Sequence, residues 1–203
     1  MKIICIGRNY ADHAKEMKSA LPTEPIFFLK PDTSYLKPGN PFFIPSFSDN
    51  IHYECELVIK ICKVGKNISE KFAPKYYQEI GLGIDFTARD LQEKCKEKGL
   101  PWEMAKAFEH SSPISKEFLQ IDKLDWENLT FKLLKNEEVV QVGYTKDMIF
   151  NVNQIISYVS KFMTLKTGDL IYTGTPAGVG PIKIGDSLKG FINELEMFEV
   201  RIK

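Results

Sequence analysis

Apolar positions in this chain fall mostly in short runs bounded by Gly, Pro or polar residues, and few stretches carry helical spacing. Residues 2–6 read as a short strand broken at Gly7, with Asn9 or Asp12 capping a short helix that runs to about Lys18. A buried strand is expected over residues 26–29, closed by Lys30 and Pro31. Residues 31–50 hold four prolines and many small polar residues, which predicts an irregular excursion over the surface. Residues 54–64, rich in β-branched and apolar positions with no Gly or Pro, predict a strand. A second strand over 79–84 leads into Asp85. A helix is expected over 88–98, stopped by Gly99 and Pro101. Residues 129–142 read as a hairpin turning near Asn136. Asn151 and Gln154 have the spacing of a capping pair ahead of Ile155, Val159 and Phe162, a helix with one apolar face. A strand over 168–172 runs into a Gly-rich turn at 173–181, and the last strands cover 187–192 and 195–202. Strands outnumber helices and do not alternate with them, so the expected class is α+β, as one domain over residues 1–203 without repeats or linkers.

Composition narrows the possible partners. Lys plus Arg and Asp plus Glu number 27 each, so the net charge is zero, and no basic run stands out. That argues against nucleic acid as the main partner and leaves little colloidal repulsion to oppose self-association. Cys5, Cys55, Cys62 and Cys95 form no C-x-x-C pair and read as reduced thiols of a cytoplasmic protein. The apolar stretch at residues 3–6 is far too short for a signal peptide or a membrane span, so no membrane partner is expected.

Candidate chemistry begins with Glu54, Glu56 and, 29 positions after Glu56, Asp85. Residues two apart on a strand share a face, about 6.6 Å apart along it. Two carboxylates so placed repel each other and lose hydration, and a cation removes both problems. With Asp85 they make an all-oxygen set suited to Mg²⁺ or Mn²⁺. Glutamates at i and i+2 are also the ordinary pattern of a solvated strand face. His13 and Glu16 are neighbours on a helix, where the carboxylate can orient the imidazole as a general base. A surface His–Glu contact fits that spacing equally well. His52 precedes a candidate ligand, and His110 has no evident partner. Lys106 sits among apolar residues, where a desolvated ammonium can stabilise developing negative charge, although a lysine there can equally extend to solvent. The turn at 173–180 offers backbone N–H groups to a carboxylate but lacks the Gly-Lys-Ser/Thr ending of a phosphate loop.

Taken in order, Gly7-Arg8-Asn9-Tyr10-Ala11-Asp12-His13, Glu54-x-Glu56, Asp85-x-Thr87-x-Arg89-Asp90, Lys106 and Thr173-Gly174-Thr175-Pro176-x-Gly178-Val179-Gly180 resemble the fumarylacetoacetate hydrolase family. The resemblance covers nearly the whole chain and is strongest to small single-domain acylpyruvase and oxaloacetate decarboxylase members. It implies a mixed β-roll or sandwich core with peripheral short helices, and a homodimer. It implies Mg²⁺ or Mn²⁺ on Glu54, Glu56 and Asp85, and a mobile lid over about residues 8–20 that carries His13 and Glu16. It also implies that Arg89, Gln92 and Thr175 join Lys106 at the acid end of a small 2-oxo acid. The implied reactions share one enolate: hydrolysis of acylpyruvates, decarboxylation of oxaloacetate, or isomerisation, whether keto–enol or of a 2-hydroxy-diene dioate. Outside the family, clustered carboxylates beside a lysine also suit a metal-dependent nuclease, which zero net charge disfavours. A structural cation module is a further alternative, and it would have no use for a His13–Glu16 pair.

Overall fold

A computed structural model describes residues 1–17 and 20–203, so the end of the first expected helix, at Lys18, lies outside the described residues. In chain order the first strands are β1 (Ile3–Gly7), β2 (Ile26–Lys30), β3 (Tyr35–Leu36), β4 (Ile51–Tyr53), β5 (Cys55–Ile61), β6 (Tyr77–Ile84), β7 (Thr87–Ala88) and β8 (Ser112–Pro113). They are followed by β9 (Leu119–Gln120), β10 (Thr130–Lys135), β11 (Glu138–Tyr144), β12 (Leu170–Tyr172), β13 (Gly180–Pro181), β14 (Ser187–Ile192) and β15 (Leu195–Arg201). The α-helices are α1 (Ala11–Glu16), α2 (Arg89–Lys98), α3 (Glu103–Lys106) and α4 (Val152–Phe162).

One six-stranded sheet has the order β2-β1-β12-β5-β6-β9, and a four-stranded sheet has the order β11-β10-β14-β15. The larger sheet is mixed: β1 and β12 run parallel, with Ile3 opposite Leu170, while β5 lies antiparallel to both β12 and β6. Leu57, Ile59 and Ile61 of β5 share a core with Phe131 and Leu133 of β10, Leu188 of β14 and Val200 of β15. Each such side chain contributes roughly 1.5–3 kcal/mol when fully buried. Val58 points the other way, into a second cluster with Ile3, Cys5 and Tyr172. A strand covered on both faces needs apolar residues at every position, so this run does not alternate. Glu56 has the parity of Val58, which turns it away from the larger core. The class is α+β, with a mixed sheet and short helices around it.

Several local expectations are met for the expected reasons. α2 ends at Gly99, whose φ of 63° allows the left-handed cap. The 129–142 hairpin turns at Asn136 and Glu137, with φ of 52° and 69°. A two-residue turn with positive φ at both positions matches the strand twist. Asn151 and Gln154 close the capping box, each side chain bonding the other's backbone N–H at 3.0 and 2.9 Å.

Other expectations change. Tyr10 precedes α1 without a side-chain cap, and Asn9 has a different task. Asn9 Nδ2 donates to the carbonyls of Phe150 and Thr173 at 3.0 and 2.8 Å, and its Oδ1 accepts from Phe150 N–H at 2.7 Å. One amide thereby joins the segment before α1 to two distant loops. The excursion at 31–50 is anchored in the interior: Phe42 is fully buried, stacks on Phe86 at 4.1 Å between centroids, and donates its N–H to Arg201 O. Phe162, placed on the apolar face of α4, is exposed and packs against Phe27 and Tyr158 at the surface.

Candidate active site

Two paired chain segments bring the carboxylates together. Glu56 lies on β5 and Glu54 just before it, and Asp85 follows the last residue of β6, which is paired to β5. Asp85 N–H bonds Glu54 O at 2.8 Å, so the acidic positions are fixed through backbone as well. All three side chains are buried. One oxygen from each lies within 4.8 Å of the others.

Three cations answer them. Lys106, at the end of α3, places Nζ 2.7 Å from Glu54 Oε2, 2.7 Å from Asp85 Oδ2 and 2.6 Å from Thr87 Oγ1. Arg89, at the start of α2, meets Glu54 Oε1 at 2.5 Å and Gln92 Oε1 at 2.5 Å. Lys30, at the end of β2, sits 2.6 Å from Asp85 Oδ1 and donates to Ser111 O at 3.0 Å. The Lys30–Asp85 approach lies off the hydrogen-bonding direction, and among the described residues Asp85 Oδ1 has no hydrogen-bond partner. Among the described residues Glu56 accepts only from Gly174 N–H, at 2.7 Å. Gly174 has φ of 101°, and a Cβ there would come within 2.6 Å of Asn9 Cβ, so the turn needs glycine to reach Glu56.

The electrostatics are uneven. Burial works to raise the Glu54 pKa, but Lys106 and Arg89 outweigh it and hold the carboxyl well below its usual range. Burial, then Asp85 and Glu54, push Glu56 well above its usual range. Burial would depress Lys106, but Asp85 and Glu54 raise it instead. Glu56 is therefore the carboxylate that the protein's own cations leave uncompensated. An all-oxygen donor set, an Asp85 oxygen that accepts no hydrogen bond among the described residues and an uncompensated Glu56 fit a hard divalent ion. Because burial and the neighbouring acids raise the Glu56 pKa, a metal competes there with a proton, and divalent affinity rises with pH. Mn²⁺ titrations at pH 6 and pH 8 should give distinctly tighter binding at pH 8. Equal affinities would mean that Glu56 is already ionised in the metal-free protein.

The cavity beside the triad is lined by His13, Arg89, Gln92, Lys106 and Thr175 together with the three acids. Thr175 is held in place by donating to Cys55 O at 2.9 Å and accepting from Gln141 Nε2 at 2.9 Å. His13 is buried, with Nδ1 3.1 Å from Glu16 Oε2. Glu16 lies behind His13 and accepts from Gly178 N–H at 3.1 Å, which ties α1 to the Gly-rich turn. The structure thus brings all nine expected site residues into one cluster. His52 and His110 stay off the cavity wall. Burial, then Arg89, lowers the His52 pKa to about 4, and its Nε2 lies 2.9 Å from Asn50 Oδ1. Sequence reasoning missed Lys30, although it closes an apolar run much as Lys106 does. Gln141 and Lys96 were not singled out either, and Arg8 was quoted only within the Gly7–His13 motif, without a role of its own.

Residues 2–203 match the family described as fumarylacetoacetate (FAA) hydrolase, C-terminal. The chain belongs to the fumarylacetoacetate hydrolase family. It is 46% identical over 202 residues to the mitochondrial oxaloacetate tautomerase of Bos taurus, covering 99% of this chain and 91% of that protein. It is 46% identical over 197 residues to the mitochondrial oxaloacetate decarboxylase of Dictyostelium discoideum, covering 96% of this chain and 90% of that one. The solved structure of fumarylpyruvate hydrolase from Pseudomonas aeruginosa, in complex with Mn²⁺ and pyruvate, aligns with TM-score 0.92 at 36% identity. That alignment covers 100% of this chain and 89% of the other. As a fumarylacetoacetate hydrolase family protein, the chain is an enzyme, and the buried triad is its candidate metal centre.

Proposed function

We propose that the chain acts on small 2-oxo acids, with oxaloacetate first among them, through an enolate formed beside the Glu54–Glu56–Asp85 triad. The observation that carries this is three buried carboxylate oxygens within 4.8 Å of one another, with the ammonium of Lys106 directed at the same point. Glu54, Glu56 and Asp85 would hold a hard divalent ion, Mg²⁺ or Mn²⁺, which would supply a Lewis acid beside such a substrate. Three acids already face three cations, Lys30, Arg89 and Lys106, so a divalent ion held among them would give the site a net positive charge that suits an anionic substrate. Lys106 stabilises negative charge developing on the 2-oxo oxygen. Arg89, Gln92 and Thr175 position the acid end of the substrate.

In decarboxylation of oxaloacetate, the bond from C3 to the distal carboxylate breaks, CO₂ leaves and the electron pair stays on C3 as the enolate. In tautomerisation, C3 exchanges a proton with the 2-oxo oxygen and no carbon–carbon bond breaks. The relatives named as oxaloacetate tautomerase and decarboxylase, each 46% identical, support this substrate. A second reading, acylpyruvate hydrolysis, is favoured by the His13–Glu16 pair. His13 takes a proton from water, the water adds to the distal carbonyl, and the carbon–carbon bond breaks to release an acid and the same enolate. α1 acts as the lid that carries this pair, held shut by Glu16 on Gly178. A homodimer belongs to the same reading, on the family resemblance. Among the described residues no helix is long and apolar enough to cross a membrane. All four cysteines are free thiols, as in a reducing compartment, a property the cytosol shares with the mitochondrial matrix.

The test is turnover of oxaloacetate, acetylpyruvate and a 2-hydroxy-diene dioate by purified protein with Mg²⁺, Mn²⁺ or EDTA. Metal-dependent conversion of oxaloacetate, abolished by EDTA, is expected. Full activity in EDTA, or no turnover of any 2-oxo acid, would overturn the reading.

A further inference from the structure

Among the described residues, two cations in the substrate cavity pair with no carboxylate. Arg8 follows Gly7 and adopts φ of 57°, a left-handed conformation that costs a non-glycine residue about 1 kcal/mol or more. That backbone places Arg8 on the cavity wall beside His13 and Trp102. Lys96 reaches the same cavity from α2. Arg89, Gln92 and Lys96 stand at i, i+3 and i+7, so one face of α2 supplies all three. Among the described residues neither Arg8 nor Lys96 makes an ion pair or a side-chain hydrogen bond, whereas Arg89 is committed to Glu54 and Gln92. Arg89 Nε is nonetheless buried without a partner, which adds an unused donor on that helix face. Both Arg8 and Lys96 are partly buried. Burial, then Arg89 and Arg8, lower the Lys96 pKa, which marks the ammonium as crowded by like charge. A strained backbone and two converging cations are costly arrangements, and an anion placed between them relieves both burial and repulsion.

We propose that Arg8 and Lys96 form a second anion subsite, which takes the distal carboxylate of a dicarboxylic 2-oxo acid and so favours oxaloacetate-like substrates over monocarboxylic acylpyruvates. The inference rests on the 2-oxo acid reading above and deepens it. Within it, the metal side receives the 2-oxo carboxylate, and Arg8 with Lys96 reads the other end.

The experiment uses the Mg²⁺-loaded enzyme and the variants Arg8→Gln, Lys96→Gln and Arg8→Lys. In each Gln variant, kcat/KM for oxaloacetate should fall at least about tenfold further than kcat/KM for acetylpyruvate, with the difference mainly in KM. Arg8→Lys keeps the charge and should retain most of the preference. A parallel calorimetric titration compares malate with lactate, which share the hydroxy-acid end and differ in the distal carboxylate. Wild type should bind malate more tightly, and the Gln variants should lose most of that difference. Equal losses for both substrates, or an unchanged malate-to-lactate ratio in a folded Lys96→Gln, would overturn the subsite. If wild type turns over neither substrate, the functional reading fails, and the malate–lactate comparison still decides the subsite by itself.

Discussion

Glu56→Ala should abolish metal-dependent turnover and the binding of one divalent ion per chain, while leaving the metal-free fold intact. Among the described residues Glu56 has one hydrogen bond, from Gly174 N–H, and no cation of its own. Its pKa is raised by burial and by Asp85 and Glu54, so the sign of its contribution is fixed. A carboxyl whose folded pKa exceeds its unfolded value works against the metal-free fold once the pH rises above the unfolded value. Removing it relieves that repulsion and leaves a small cavity in exchange, and the two effects oppose each other. Unfolding in EDTA at pH 8 should therefore shift by no more than about 4 °C, corresponding to roughly 1–2 kcal/mol in a chain of this size. Wild type should gain thermal stability with Mg²⁺ or Mn²⁺, and the variant should gain none. A variant that kept wild-type turnover and metal affinity would remove Glu56 from the centre.

The second large effect separates the reactions. His13→Ala should slow acylpyruvate hydrolysis by roughly 10²–10⁴, the range for losing a general base. Oxaloacetate decarboxylation should suffer less, because no water adds to that substrate. The imidazole faces the cavity, and Glu16 holds its Nδ1 from behind at 3.1 Å. Glu16 is itself fixed by Gly178 N–H, so its orientation does not depend on His13 alone. Glu16→Ala should follow the same trend more weakly, since Glu16 positions the base and takes no proton from water. Equal losses in both reactions would assign His13 to the enolate proton or to lid closure instead.

Much of this arrangement was legible because it is local. The i, i+2 glutamates, the apolar strands behind them, the Asn151–Gln154 box and the Gly99 stop each follow from a few neighbouring residues. The charge pairing was not legible. Lys30, Arg89 and Lys106 are neutralised by acids far away in sequence, and only the pairing of β5 with β6 brings those acids together. Lys106 drew notice for its apolar flanks, yet its partners are Glu54, Asp85 and Thr87. Asn9 read as a helix cap because Asn often is one. Its amide instead ties three chain segments together, a demand that no local pattern carries. Phe42 was hidden by the prolines around it, whose surface signal masked a buried ring stacked on Phe86. Arg8 is the opposite case, since its backbone breaks the local preference for negative φ at a position facing the cavity.

The central claim is that one enolate forms beside the triad with Lys106 stabilising it, and solvent exchange of pyruvate tests it most directly. Wild-type enzyme is incubated with pyruvate and Mg²⁺ in D₂O, and the methyl protons are followed by NMR. Deuterium should enter the methyl group at a rate that depends on enzyme and metal, with none in EDTA, and Lys106→Met should slow it by roughly 10²–10³, the scale of losing an oxyanion-hole donor. An enzyme that consumes oxaloacetate with Mg²⁺ yet leaves the methyl protons of bound pyruvate unexchanged would contradict the account.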